Sequence, residues 1–183
     1  NLAFKDYDLD WHWNENKYIE LLKISGGLNR IIKYRNEIKS ELLDEECSKI
    51  QLRKRFHYNV IVKAGKINVR TGVVRLIEEL SNSGVEQFIV TTSGRGSLEP
   101  FLNTSLLSQL NLFSGIITYE DVCNHKPFPD AYQLAIKLSK KSNKNCIAIE
   151  DSMIGVEAAR AANLNVLMTL PPWSSSVQNI TKK

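Results

Sequence analysis

From residue 72 onward the chain alternates short apolar runs with amphipathic stretches, and that alternation limits its fold more than any other feature. "GVVRLIEEL" predicts a helix with Thr71 as its N-cap, "QFIVTTS" a buried strand, "SLEPFL" and its sequel a helix, and "GIITY" a second strand. "PDAYQLAIKLSKK" then predicts a helix, "CIAIED" a strand, "MIGVEAARAANL" a helix and "NVLMTL" a further strand. Short strands separated by helices must be joined by crossovers, which builds a parallel sheet covered by helices. Up to about residue 64 the apolar spacing is helical only: Tyr18, Leu21 and Leu22 form one stripe, and Cys47, Ile50, Phe56, Val60 and Ile61 another. The sequence therefore predicts an α/β protein, a doubly wound parallel sheet over residues 67–183 preceded by a helical cap domain over residues 1–66.

Composition narrows the function classes. The 183 residues, 43% of them hydrophobic, suffice for one core carrying a smaller appendage. No run approaches the roughly 20 apolar residues that span a bilayer, and "NLAFKDYDLDW" lacks the basic and apolar regions of a signal peptide, so no membrane partner is expected. Cys47, Cys123 and Cys146 are too scattered for a metal site or a disulfide framework, and read as reduced thiols of a cytoplasmic protein. The net charge of +4 is modest. Its one dense basic run, Arg53-Lys54-Arg55, reads as a solvated helix face, and no nucleic-acid partner is expected.

In an open parallel sheet, ligands bind beyond the carboxyl ends of the strands. After "FIV" come Thr91, Thr92 and Ser93, then Gly94-Arg95-Gly96. After "GIITY" a loop leads to Lys126 ahead of a proline that can open a helix. After "CIAI" come Glu150 and Asp151, with Ser152 placed to cap the next helix. Each group has a plain structural use: hydroxyls as turn formers, Lys-Pro as a turn, acids as partners of a helix N-terminus. Together they suit a phosphoryl group, with hydroxyls and N–H donors for its oxygens, an ammonium for its growing charge and two carboxylates for Mg²⁺. Two adjacent carboxylates resist ionising together, so a cation is expected between them. Trp11 and Trp13 read as filling of the cap core and its hinge. Gly72 and Gly155 read as sites of close helix approach.

The order and spacing of "FIVTTS", "HKPFPDAY" and "CIAIEDSMIGVEAARAANL" resemble the second, third and fourth motifs of the haloacid dehalogenase superfamily of phosphohydrolases, and the last of these resembles the subfamily of CbbY-like sugar phosphatases and β-phosphoglucomutases. "DWHWNENKYIELLKISGGLNRI" is similar to the helical cap of CbbY-like proteins. The resemblance implies a Mg²⁺-dependent phosphatase working through an aspartyl-phosphate, in which Thr92 and Lys126 act on the transferring phosphoryl group while Asp151, with Glu150 directly or behind it, holds the metal. It implies a small phosphorylated sugar as substrate, xylulose 1,5-bisphosphate for CbbY-like members; a monomer is expected. Thr91, Ser93 and Arg95 near the strand end, with Lys23 and Arg30 flanking Gly26-Gly27 in the cap, are the candidate substrate contacts.

The family's Asp-x-Asp-Gly-Thr nucleophile segment has no counterpart here. Asp6, Asp8 and Asp10 in "DYDLD" have acid spacing but follow no apolar strand and precede no Gly-Thr, so they read as a polar loop. The expectation is a fragment lacking the first, central strand, and poorly stable alone because its neighbours would be uncovered. Leu28 and Asn29 replace charged residues of the family after Gly-Gly, which points to an altered substrate. A phosphomutase and a phosphate-binding protein without catalysis remain open. A receiver domain does not fit, because the acid pair here follows the Thr and the Lys instead of preceding them.

Overall fold

A computed structural model describes residues 1–104 and 112–169. The chain divides into two compact units, Asn1–Glu120 and Asp121–Lys183. The parts of the helix expected after "SLEPFL" that lie beyond residue 104, and everything expected beyond residue 169, fall outside the described residues.

The first unit opens with four helices, α1 (Leu2–Lys5), α2 (Glu15–Leu21), α3 (Gly27–Glu37) and α4 (Asp44–Lys63). Asn14 caps α2 by accepting from the Lys17 N–H, and Glu46 accepts from the Leu43 N–H at the start of α4. Ala3 and Phe4 of α1, Ile31 of α3, and Cys47 and Ile50 of α4 form a buried cluster, with Trp11 and Trp13 packed against it. Phe4 meets the two indole rings edge-on, at centroid distances of 5.4 and 5.1 Å, and Tyr34 meets them at 5.4 and 5.5 Å. The tryptophans thus pack against the buried cluster of the first unit.

Helix α5 (Val73–Asn82) follows, then β1 (Phe88–Val90), α6 (Arg95–Thr104) and β2 (Gly115–Ile117). Strands β1 and β2 are parallel, with Phe88 opposite Gly115 and Val90 opposite Ile117. The N-cap of α5 is Gly72, not Thr71. Gly72 has φ +86° with open space around its Cβ position, so it is there for a left-handed turn and not for close helix approach.

The second unit contains α7 (Asp130–Ser139), β3 (Ile147–Glu150), α8 (Met153–Ala161) and β4 (Asn165–Met168). Strands β3 and β4 are parallel, Ile147 opposite Asn165 and Glu150 opposite Met168, and α8 packs on both. The expected α/β alternation of helices and parallel strands is borne out: each described strand pairs with the one its own helical crossover reaches, in two two-stranded parallel sheets and, among the described residues, no larger one. Nor is β3 buried on both faces: Ala148 and Glu150 point inward, while Ile147 and Ile149 are exposed. Among the described residues no helix is long and apolar enough to cross a membrane.

Candidate active site

The carboxyl end of β3 carries the one buried ionic cluster of the second unit's described residues. Glu150 and Lys126 are 7% and 8% exposed, and the Lys126 ammonium lies 2.5 Å from Glu150 Oε1. The Tyr132 hydroxyl donates to the same oxygen and stands 3.4 Å from the ammonium. A buried carboxylate would be costly without such partners, and here a charge and a neutral donor supply them. Burial, followed by the hydrogen bond to Glu150 and the charges of Glu150 and Asp151, pushes the Tyr132 phenol up, so it serves as a neutral donor.

Local sequence explains the placement. Lys126 precedes a cis peptide bond to Pro127, and α7 starts at Asp130 after Pro129, so Pro127 does not open the helix as expected. Tyr132 lies in the first turn of α7, which sets it beside Lys126. Ser152 caps α8 by accepting from the Gly155 N–H at 3.1 Å, as its position implied. A Cβ on Gly155 would sit 1.9 Å from Glu150 Oε2. Glycine is therefore required by the approach of a carboxylate, where the sequence suggested the approach of a helix.

The adjacent acids differ sharply. Glu150 is buried against the chain's own ammonium, whereas Asp151 is exposed. The cation expected beside the pair is, at Glu150, Lys126. Hard carboxylate oxygens of this kind suit Mg²⁺, which is commonly held by one or two carboxylates with phosphate and water completing the shell. Among the described residues no group of three or more His, Cys, Asp or Glu side chains could hold a metal.

In the first unit, the loop after β1 carries Thr91, Thr92 and Ser93, and Arg95 opens α6. Thr91 N–H continues the strand pairing to the Ile117 carbonyl at 2.9 Å, and its hydroxyl accepts from Ser93 N–H at 3.0 Å. That hydroxyl serves the turn. Thr92, Ser93 and Arg95 are exposed. Lys23 is exposed, while Arg30 is partly buried and donates to the Ile24 carbonyl at 2.9 Å. Asp6 at the end of α1 is bonded by Arg53 and His57, in keeping with a polar loop and not with a nucleophile.

Two participants escaped the sequence reading. Lys54 is not a freely solvated charge: it is partly buried, and its ammonium is pushed below the usual lysine range by desolvation and by the neighbouring Arg30 charge. A Cβ on Gly27 would meet the Gln51 amide at 2.6 Å, so the start of α3 lies close against α4. Tyr132 is the second. Its fixed distance from Lys126 in "HKPFPDAY" is the signal that could have found it.

A buried Lys–Glu pair beside an exposed Asp, at the end of a parallel strand in a βαβ unit, is an arrangement able to meet the negative charge of a phosphoryl group. A family profile described as haloacid dehalogenase-like hydrolase matches residues 4–169. The chain belongs to that family and is a phosphohydrolase. Protein CbbY of Rhodobacter capsulatus is 31% identical over 92% of this chain and 75% of its own length. The crystal structure of CbbY from Rhodobacter sphaeroides in complex with phosphate is similar at a TM-score of 0.81 and 26% identity, covering 93% of this chain and 76% of that one. A mutant of the same protein, in complex with xylulose-(1,5)bisphosphate, matches with the same score, identity and coverage.

Proposed function

We propose that the chain carries the phosphate-handling residues of a Mg²⁺-dependent sugar-phosphate phosphatase whose substrate is a small sugar bisphosphate, xylulose 1,5-bisphosphate being the first candidate. The observation that carries this reading is the buried Lys126–Glu150–Tyr132 cluster beside exposed Asp151. The solved relative that holds the bisphosphate supports the substrate class.

Each residue has a role its environment allows. Lys126, fixed by Glu150 and Tyr132, offers an oriented ammonium to offset charge on a phosphoryl group. In the first unit, Thr92 and Ser93 offer exposed hydroxyls to phosphate oxygens, and Arg95 an exposed cation. Asp151 would hold Mg²⁺ directly, with Glu150 behind it because its Oε1 is already engaged. When bound, the ion supplies Lewis-acid stabilisation of phosphoryl charge. Residues 1–66 act as the cap and residues 67–183 as the core. Lys23, Arg30 and Lys54 give the cap a cationic region suited to a second phosphate. The protein acts as a monomer in the cytoplasm, where its free cysteines stay reduced. The attacking aspartate of the family's chemistry has no match among these 183 residues.

The test is release of inorganic phosphate from sugar mono- and bisphosphates, xylulose 1,5-bisphosphate among them, with and without Mg²⁺. Mg²⁺-dependent release that Asp151→Asn abolishes supports the reading; release retained by that variant removes the metal assignment. Phosphate binding without release favours the second reading, a binding protein without catalysis.

A further inference from the structure

Neither glycine of Gly94-Arg95-Gly96, where the loop after β1 enters α6, has a left-handed backbone, so conformational freedom does not account for them. Room does. A Cβ on Gly94 would lie 2.6 Å from Oε1 of Glu120, and one on Gly96 would lie 3.2 Å from a terminal nitrogen of Arg55. The same guanidinium nitrogen is 3.6 Å from the Gly94 position. A carboxylate from beyond β2 and a guanidinium from α4 thus rest on the bare backbone of one loop.

The contacts around them are directional. Both Glu120 oxygens accept from the Arg95 N–H, at 3.2 and 3.0 Å, where α6 begins. That bond, the Thr118 hydroxyl and the Arg55 charge hold the Glu120 carboxyl below its usual range. One helical turn after Arg55, Asn59 Nδ2 donates to the Gly96 carbonyl at 3.2 Å. The face of α4 that carries Arg55 and Asn59 therefore grips the loop from one side, and Glu120 grips it from the other.

We propose that Arg55 and Glu120 are positioning residues: together they clamp the backbone of Gly94–Gly96 and so fix the exposed hydroxyls of Thr92 and Ser93 directly upstream. The meaning of those hydroxyls rests on the phosphatase reading; the clamp rests on geometry. A loop that must hold phosphate oxygens gains from such fixing, because a misplacement of about 1 Å can cost on the order of a hundredfold in rate. The planar guanidinium suits a glycine surface better than a lysine ammonium does.

Glu120 alone could be a simple helix cap, and a cap would not need Arg55. The experiment therefore centres on Arg55. Amide hydrogen exchange of residues 93–98 and phosphate release from a sugar bisphosphate with Mg²⁺ are measured on the full chain and on Arg55→Ala, Arg55→Lys, Gly94→Ala and the Arg55→Ala/Gly94→Ala double variant. Arg55→Ala and Gly94→Ala should each speed exchange at Arg95 and Ser97 by about tenfold, leave Tm in place, and lower kcat more than they raise KM. Arg55→Lys should recover little, and the double variant should lose more than either single, since Gly94→Ala displaces Glu120 while Arg55→Ala removes the other side of the clamp. Unchanged exchange in Arg55→Ala overturns the clamp. Faster exchange with unchanged kcat and KM overturns the positioning role. If the wild-type chain releases no phosphate, the phosphatase reading fails on its own, and exchange alone decides the clamp.

Discussion

Glu150 and Asp6 are built from the same parts and sit in opposite surroundings. Each carboxylate meets one strong cation and one further polar ring group: Lys126 and Tyr132 at Glu150, Arg53 and His57 at Asp6. At Glu150 both charged side chains are under a tenth exposed; at Asp6 the carboxylate, guanidinium and imidazole are 29%, 41% and 20% exposed. Water shares the work at Asp6 and is excluded at Glu150. The contrast teaches that the second unit's pair, and not the first unit's, is one in which the loss of a partner strands a charge.

The largest effect expected follows directly. Lys126→Ala should cost about 3–5 kcal/mol in urea unfolding, because it leaves a buried carboxylate unpaired. The double variant Lys126→Met/Glu150→Gln should recover most of that loss, since it removes the stranded charge along with the pair. If Lys126→Ala costs no more than Arg53→Ala, the contrast between the two clusters does not hold.

Gly155→Ala tests the same carboxylate from its other side. The new Cβ would fall 1.9 Å from Glu150 Oε2, so either the carboxylate leaves Lys126 or α8 shifts. Overpacking commonly costs about 1–3 kcal/mol, and the upper end is expected here because the displaced atom is charged and buried. Thermal and urea unfolding would both read it, and a neutral result would mean the helix end yields freely.

How much of this was legible in the sequence depends on whether a feature is local. The alternation of helices and strands was legible because side-chain periodicity is local, as was the Ser152 cap, which needs only a hydroxyl before a helix. Thr71 looked as good a cap as Ser152, but a left-handed Gly72 took the position, and no propensity rule ranks the two in advance. The basic run Arg53-Lys54-Arg55 looked like one solvated face. On a helix, three consecutive residues point in three directions: Arg53 pairs with Asp6, Lys54 packs beside Arg30, and Arg55 reaches the 94–96 loop. Strand pairing was illegible for another reason. Alternation predicts parallel strands but does not say which neighbours join, and the described strands form two sheets.

Tyr132→Phe sharpens the comparison by removing a donor and no charge. A hydrogen bond to a charged group contributes about 1.5–3 kcal/mol, and the lower end is expected because Lys126 still satisfies Glu150. The raised phenol makes the sign with pH clear: the hydroxyl stays protonated through neutral and mildly alkaline conditions, so the cost of the variant should be flat from pH 6 to about pH 9. A cost that disappears within that range would show the phenol ionising, and the neutral-donor role would fail.

The smallest effect belongs to Asp6→Asn. Hydrogen bonds from Arg53 and His57 hold the Asp6 carboxyl below its ordinary value. A carboxyl lower in the folded than in the unfolded chain stabilises above the unfolded value and loses that contribution as pH falls through the folded one. The wild-type chain should therefore lose its small advantage over Asp6→Asn as pH drops below about 4, and should already lose much of it at neutral pH in high salt, because exposed charges are screened. The Glu150 cluster should respond weakly to the same salt. Unfolding curves of Asp6→Asn and Glu150→Gln at low and high ionic strength make the comparison directly: equal salt sensitivity would mean that burial does not separate the two carboxylates, and the contrast from which the other predictions descend would be lost.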